Sequence, residues 1–89
     1  MISMNVKKPS REEILRAEKW GIWTKEPSEF PWFYDEKEIC FILDGEAEIT
    51  DEQGNKISIK KGDWVEFEQG LEATWKILKS IRKRYMFGE

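Results

Sequence analysis

Apolar and polar residues alternate along most of this chain, and the alternation is clearest from position 38 onward. Ile39, Phe41 and Leu43 interleave with Cys40 and Ile42, so this run is apolar on both faces and belongs inside a structure. Beyond Asp44-Gly45 the pattern becomes one-sided, with Ala47 and Ile49 set against Glu46, Glu48 and Thr50. An Asp-Gly pair accommodates the positive φ angles of a two-residue turn, so the two runs are expected to fold back on each other as a hairpin. The same period of two continues over Lys56 to Lys60, Trp64 to Phe67, Glu72 to Leu78 and Ile81 to Phe87. Turn residues separate these runs at Asp51-Glu52-Gln53-Gly54-Asn55, Lys61-Gly62-Asp63, Glu68-Gln69-Gly70 and Lys79-Ser80.

The first third of the chain reads differently. Residues 1–8 form a loose start with a possible short strand over Ile2 to Val6. Pro9 followed by Ser10 and Glu13 is a capping-box pattern, which predicts a short helix within 10–20, from about Arg11 to Lys19. Ile14, Leu15 and Ala17 are its apolar positions, and Gly21 ends it. Aromatic residues then crowd together as Trp20, Trp23, Phe30, Trp32, Phe33 and Tyr34, interrupted by Pro27 and Pro31. Proline confines such a segment to turns and sheet edges, so short strands are expected at Ile22 to Thr24 and Phe30 to Tyr34. Short strands at this spacing, over residues 22–87, predict an all-β sandwich or barrel with one short helix, folding as a single domain of 89 residues.

Composition narrows the function classes. With 15 Lys and Arg against 18 Asp and Glu, the net charge is −3, which disfavours a nucleic-acid backbone as partner. Arg82-Lys83-Arg84 is too short a basic run to change that and reads as a solvated strand face. No stretch is long and apolar enough to span a bilayer, no signal-peptide core is evident, and the single cysteine fits a reducing compartment. A cytoplasmic protein without membrane contact is therefore expected. Charged residues make up 37% of the chain, a proportion of the kind seen in heat-stable proteins.

Two spacings carry a family resemblance. Glu38 is followed by six residues and Gly45, and Gly62-Asp63 leads through five residues to Glu68-Gln69-Gly70. This resembles the two motifs of the cupin superfamily, which implies a conical, antiparallel jelly-roll barrel. The second motif departs from the family pattern at three positions, with Glu68 at its proline, Ala73 at its histidine and Ile77 at its asparagine. The paired histidines of the first motif would fall near Pro31 and Phe33, or Trp32 and Tyr34. Trp20 and Trp23, Ser28-Glu29-Phe30-Pro31-Trp32, the run Glu38 to Gly45, Gly70-Leu71, Trp75 and Arg82-Lys83-Arg84-Tyr85 together resemble the small single-domain branch of the ureidoglycine aminohydrolase-type cupins. That branch ranges from a manganese-dependent aminohydrolase to small proteins of unassigned role.

Cupin enzymes usually hold a metal through three histidines and a glutamate, whereas this chain contains no histidine. Imidazole is the commonest ligand of catalytic transition metals, so no metal cofactor is expected. A metal would have to use Glu38 and Cys40 with an oxygen from Glu68, Glu72 or a bound substrate. Glu38, the candidate catalytic residue, and Cys40 stand two apart on one face of their strand and point into the barrel. Tyr34, Trp75 and Tyr85 are the aromatic candidates for the same pocket, suited to a flat or cationic small molecule. Each also has a plain structural use: Glu38 paired with a basic side chain, Cys40 as an inert core residue, the aromatics as packing. Three functions follow: a metal-free cupin binding a small molecule, an aminohydrolase-like enzyme using Glu38 on a small nitrogenous metabolite, or an interaction module. If Ile39, Phe41 and Leu43 face outward, the helix and a second subunit are expected to cover them, as a homodimer.

Overall fold

A computed structural model describes residues 3–88. The elements in order are β1 (Met4–Lys7), α1 (Arg11–Ala17), β2 (Gly21–Lys25), β3 (Ser28–Phe33), β4 (Glu38–Asp51), β5 (Lys56–Lys60), β6 (Trp64–Phe67) and β7 (Glu72–Phe87). All pairings are antiparallel, in one seven-stranded sheet ordered β1-β6-β4-β7-β2, with β3 also on β7 and β5 on β4. Residues from every strand meet in one core cluster, so the sheet wraps around its own inner face.

The expected hairpin at Asp44-Gly45 does not exist. β4 runs unbroken through it, and β7 likewise runs through Lys79-Ser80, where a break was expected. The two long strands pair along their length, with register shifts between Ile42 and Ala47. Gly45 sits at this irregularity with φ +97, and a Cβ there would collide with the carbonyl oxygens of Ser80 and Lys79. Asp-Gly signals positive φ, and positive φ serves a bulge as well as a turn. Here it bends β4, which pairs with β6 before the bend and with β5 after it.

The Ser10–Glu13 capping box forms as the residues predict, with Ser10 Oγ accepting from the Glu13 amide and Glu13 Oε1 accepting from the Ser10 amide. The helix is shorter than expected, ending at Ala17, and Leu15 is exposed rather than packed. Ala17 and Trp20 cover Ile39, Phe41 and Trp64 on the outer face of β4 and β6 in a second, smaller cluster. Of the possible first strand, Ile2 lies outside the described residues, and the strand found is Met4–Lys7 on β6. Among the described residues no helix is long and apolar enough to cross a membrane.

Candidate functional site

Strand alternation builds the site in cross-strand rows. Glu38 pairs with Phe87 on one side and Phe67 on the other. Two residues on, Cys40 pairs with Tyr85 and Val65, and Tyr85 in turn with Gly21. Next, Ile42 pairs with Lys83, and Lys83 with Trp23. Side chains of directly opposed residues share a face, so Glu38, Cys40, Lys83, Tyr85, Phe87 and Trp23 all point inward. Gly21 leaves room for the Tyr85 ring, since a Cβ there would overlap it. On the facing side, β3 brings Phe30 opposite Trp75 and Trp32 opposite Ala73. Tyr34 follows β3 and is tied by backbone bonds to the Gly70-Leu71 turn, at 2.9 Å from its N–H to Leu71 and 2.7 Å from the Gly70 N–H to its carbonyl.

These side chains frame a cavity of about 210 Å³ lined by Trp23, Phe30, Trp32, Tyr34, Glu38, Trp75, Lys83, Tyr85 and Phe87. At roughly 30 Å³ per water, that is space for about seven waters. Tyr34, Glu38, Trp75 and Tyr85 of the sequence-derived pocket line it; Cys40, fully buried, lies behind it.

The floor is a polar cluster. The Lys83 ammonium donates to Glu38 Oε2 at 3.0 Å and to Cys40 Sγ at 3.3 Å, and the Cys40 thiol donates to Glu38 Oε2 at 3.1 Å. The same ammonium lies 4.6 Å from the Trp23 ring centre and 4.8 Å from that of Trp75, over both indole faces. Glu38 is 3% exposed and Lys83 5%, so this is a desolvated ion pair. Lys83 corrects the reading of Arg82-Lys83-Arg84 as a solvated face. Arg82 is exposed, but Lys83 is buried, because Ile81, Lys83 and Tyr85 share the inward face of β7. The signal was present as the alternation of Ile81, Lys83, Tyr85 and Phe87; the charges of the flanking arginines obscured it.

Burial pushes the Cys40 thiol well above its usual range and outweighs the opposing pull of the Lys83 charge, so the sulfur stays protonated at neutral pH. Burial alone would lower the Lys83 pKa, but the Glu38 carboxylate and the hydrogen bonds to Glu38 and the Cys40 sulfur outweigh it and hold the ammonium above its ordinary value. Tyr34 is pushed up by burial and by the nearby Glu38 charge. Its hydroxyl accepts from Trp75 Nε1 at 2.9 Å, and its ring stacks on Phe67 at 4.6 Å.

The donors present do not fit a transition metal. Glu38 and Cys40 are the only ligand-type side chains in the cluster, and both are engaged by Lys83. Glu68 and Glu72, the expected further ligands, do not reach them: both are exposed, and Glu68 accepts instead from the Ser3 amide and hydroxyl. Among the described residues no three His, Cys, Asp or Glu side chains converge on a common point.

The comparisons with known proteins agree with this architecture. A model of the EutQ-like cupin domain matches residues 12–85. A DUF861 family protein from Thermotoga maritima is 47% identical, with 96% of this chain and 99% of that chain covered and a TM-score of 0.92. A DUF861 protein from Pseudomonas syringae pv. tomato is 25% identical over 75% of this chain and 29% of that one, with a TM-score of 0.69. The EutQ protein of Clostridium difficile shares the fold at a TM-score of 0.71, with 20% identity and coverage of 98% and 68%. No curated protein matches the chain. With an antiparallel jelly roll wrapped around one core, and a family match spanning nearly all of it, this chain is a small cupin and belongs to the EutQ-like cupin domain family.

Proposed function

We propose that this protein binds a small molecule in its barrel, without a tightly held transition metal. One observation carries the reading: an aromatic-walled cavity opens over a buried, hydrogen-bonded ion pair of Glu38 and Lys83. Concave apolar walls with a few convergent polar groups are the usual form of a ligand site. The resemblance to the ureidoglycine aminohydrolase-type branch belongs to this reading as a relationship of fold and pocket position. The metal form of that chemistry needs ligands that Glu38 and Cys40 alone do not supply.

The test is a fragment screen followed by the indole N–H resonances of Trp23, Trp32 and Trp75. Binders are expected to shift these signals and to bind more weakly to Trp32→Ala, which trims the mouth at a half-exposed side chain. Fragments that leave all three indoles unmoved would overturn the reading. Metal analysis of untagged protein is expected to show no stoichiometric transition metal; a stoichiometric ion lost in Glu38→Gln would reverse the metal-free part.

The outer surface supports a homodimer. Ile22, Phe33 and Leu78 are 43%, 57% and 45% exposed and alternate with the inward Trp23, Trp32 and Ile77. Analytical ultracentrifugation at micromolar concentration is expected to show a dimer, and a monomer alone would end that proposal. The buried free thiol of Cys40 supports a reducing, cytoplasmic setting.

A further inference from the structure

The hydrogen-bonding groups around the cavity are unevenly used, and what is left over defines a ligand. The Lys83 ammonium has three hydrogens; one bonds Glu38, one bonds Cys40, and the group lies over the faces of Trp23 and Trp75. Glu38 Oε2 accepts two bonds, whereas Oε1 accepts none among the described residues. No buried side-chain oxygen or nitrogen among those residues lacks a partner, so Oε1 is not sealed in protein and opens onto the cavity that Glu38 lines. The Tyr34 hydroxyl accepts from Trp75, and among the described residues its own hydrogen meets no acceptor. The lining thus retains an anionic acceptor at Glu38 Oε1 and a donor at Tyr34, beside which the Tyr85 hydroxyl, the third Lys83 hydrogen and the indole N–H groups of Trp23 and Trp32 also have no partner among the described residues.

Charge restricts the choice further. An aromatic cage with a carboxylate is the usual seat of a cationic ligand, but Lys83 already fills that seat, and a second cation would meet its field at short range. An anion would meet Glu38 instead. The pair sums to zero, the thiol is neutral, and the remaining walls are flat rings.

Resting on the small-molecule reading above, we infer that the ligand is a neutral, planar ring bearing both a hydrogen-bond donor, for Glu38, and an acceptor, for the donors around it, of the lactam type. Its carbonyl oxygen accepts from Tyr34 and its N–H donates to Glu38 Oε1. Its ring lies among the aromatic walls.

Three single-ring probes of similar size test this by titration of the intact protein, followed at the indole resonances: 2-pyridone, N-methylpyridinium and benzoate. The neutral 2-pyridone is expected to bind at least about tenfold more tightly than either ion, and Tyr34→Phe to weaken it by about tenfold, the order of losing one hydrogen bond to a buried partner. Tighter binding of N-methylpyridinium or of benzoate would overturn the ligand class and leave the small-molecule reading intact. So would silence of all three probes while other fragments still shift the indoles. Silence of every fragment would remove the reading beneath it as well. The wild-type comparison decides the matter even where the Tyr34 variant is poorly folded.

Discussion

The two ends of this barrel are built on the same pair of strands and have opposite interiors. Toward one end, Ile42, Ala47, Ile59, Ile77 and Ile81 fill the space between β4, β5 and β7, each nearly or wholly buried. Toward the other, the same strands present Glu38, Cys40, Lys83 and Tyr85, faced by Trp75, Phe30 and Tyr34, and a cavity remains. Branched aliphatic side chains interdigitate to native density. Large rings held edge-on or stacked, such as Trp23 against Trp75 at 6.2 Å, act as walls and leave a gap between them. The lesson is that backbone topology does not decide whether a barrel interior is core or pocket. The shape and charge of a few inward residues do.

That contrast can be broken most forcefully at the ion pair. Lys83→Met leaves the Glu38 carboxylate uncompensated in a desolvated floor and is expected to cost about 3–5 kcal/mol in urea unfolding, whereas Glu38→Leu combined with Lys83→Met costs clearly less than either change alone. A double variant as unstable as the sum of the two would show that the pair is not the linked unit described. At the aliphatic end, Ile59→Ala opens a dry void and is expected to cost about 2–5 kcal/mol, without changing binding at the indoles. Altered ligand affinity in that variant would show the two ends are not separable.

A subtler difference lies in alkaline solution. Above the ordinary Cys value of 9.0 the unfolded thiol sheds its proton while the buried Cys40 keeps it, so the folded state holds more protons and stability falls as pH rises. Lys83, also raised, adds a loss of the same sign above 10.5. Cys40→Ala is therefore expected to delay the onset of the alkaline fall in thermal melts, and an unchanged profile would refute the assignment. The smallest effect is outside the barrel: Lys79 meets Glu46 at 3.0 Å but is 71% exposed, so Lys79→Ala should change stability by no more than about 1 kcal/mol.

Much of this was legible in the residues, and the failures share a cause. The period of two located β5 to the residue, because it is one-sided, and the turns on either side located β6, which is buried on both faces. Glu38 and Cys40 were placed inward by the same alternation. Asp44-Gly45 carries the signature of a chain reversal and Lys79-Ser80 that of a strand break, although the two lie beside each other across β4 and β7 and form one shared bend. Local turn chemistry cannot distinguish a bulge from a hairpin when the decisive contact is a carbonyl far along the chain. Lys83 was missed because its burial depends on Glu38, Trp23 and Trp75, none adjacent in sequence. Trp23, Phe30, Trp32 and Phe87 lacked a signal separating wall from filling.

The unbroken pairing of β4 with β7 has a kinetic consequence. At the rungs beside Trp75 and its β3 partners, Asp51 meets Ala73 across a short stretch of chain, whereas Glu38 meets Phe87 across a much longer one. Closing entropy grows with the length of the loop, so the ladder nucleates at the Trp75 wall and zips through the aliphatic bend toward the wall of Glu38 and Phe87. Run backwards, the same order makes the Glu38 and Phe87 rungs the first part of the ladder to fray. The pocket is thus bounded by one wall laid early, around Trp75, and one laid last, around Glu38 and Phe87, which is also the first to lift.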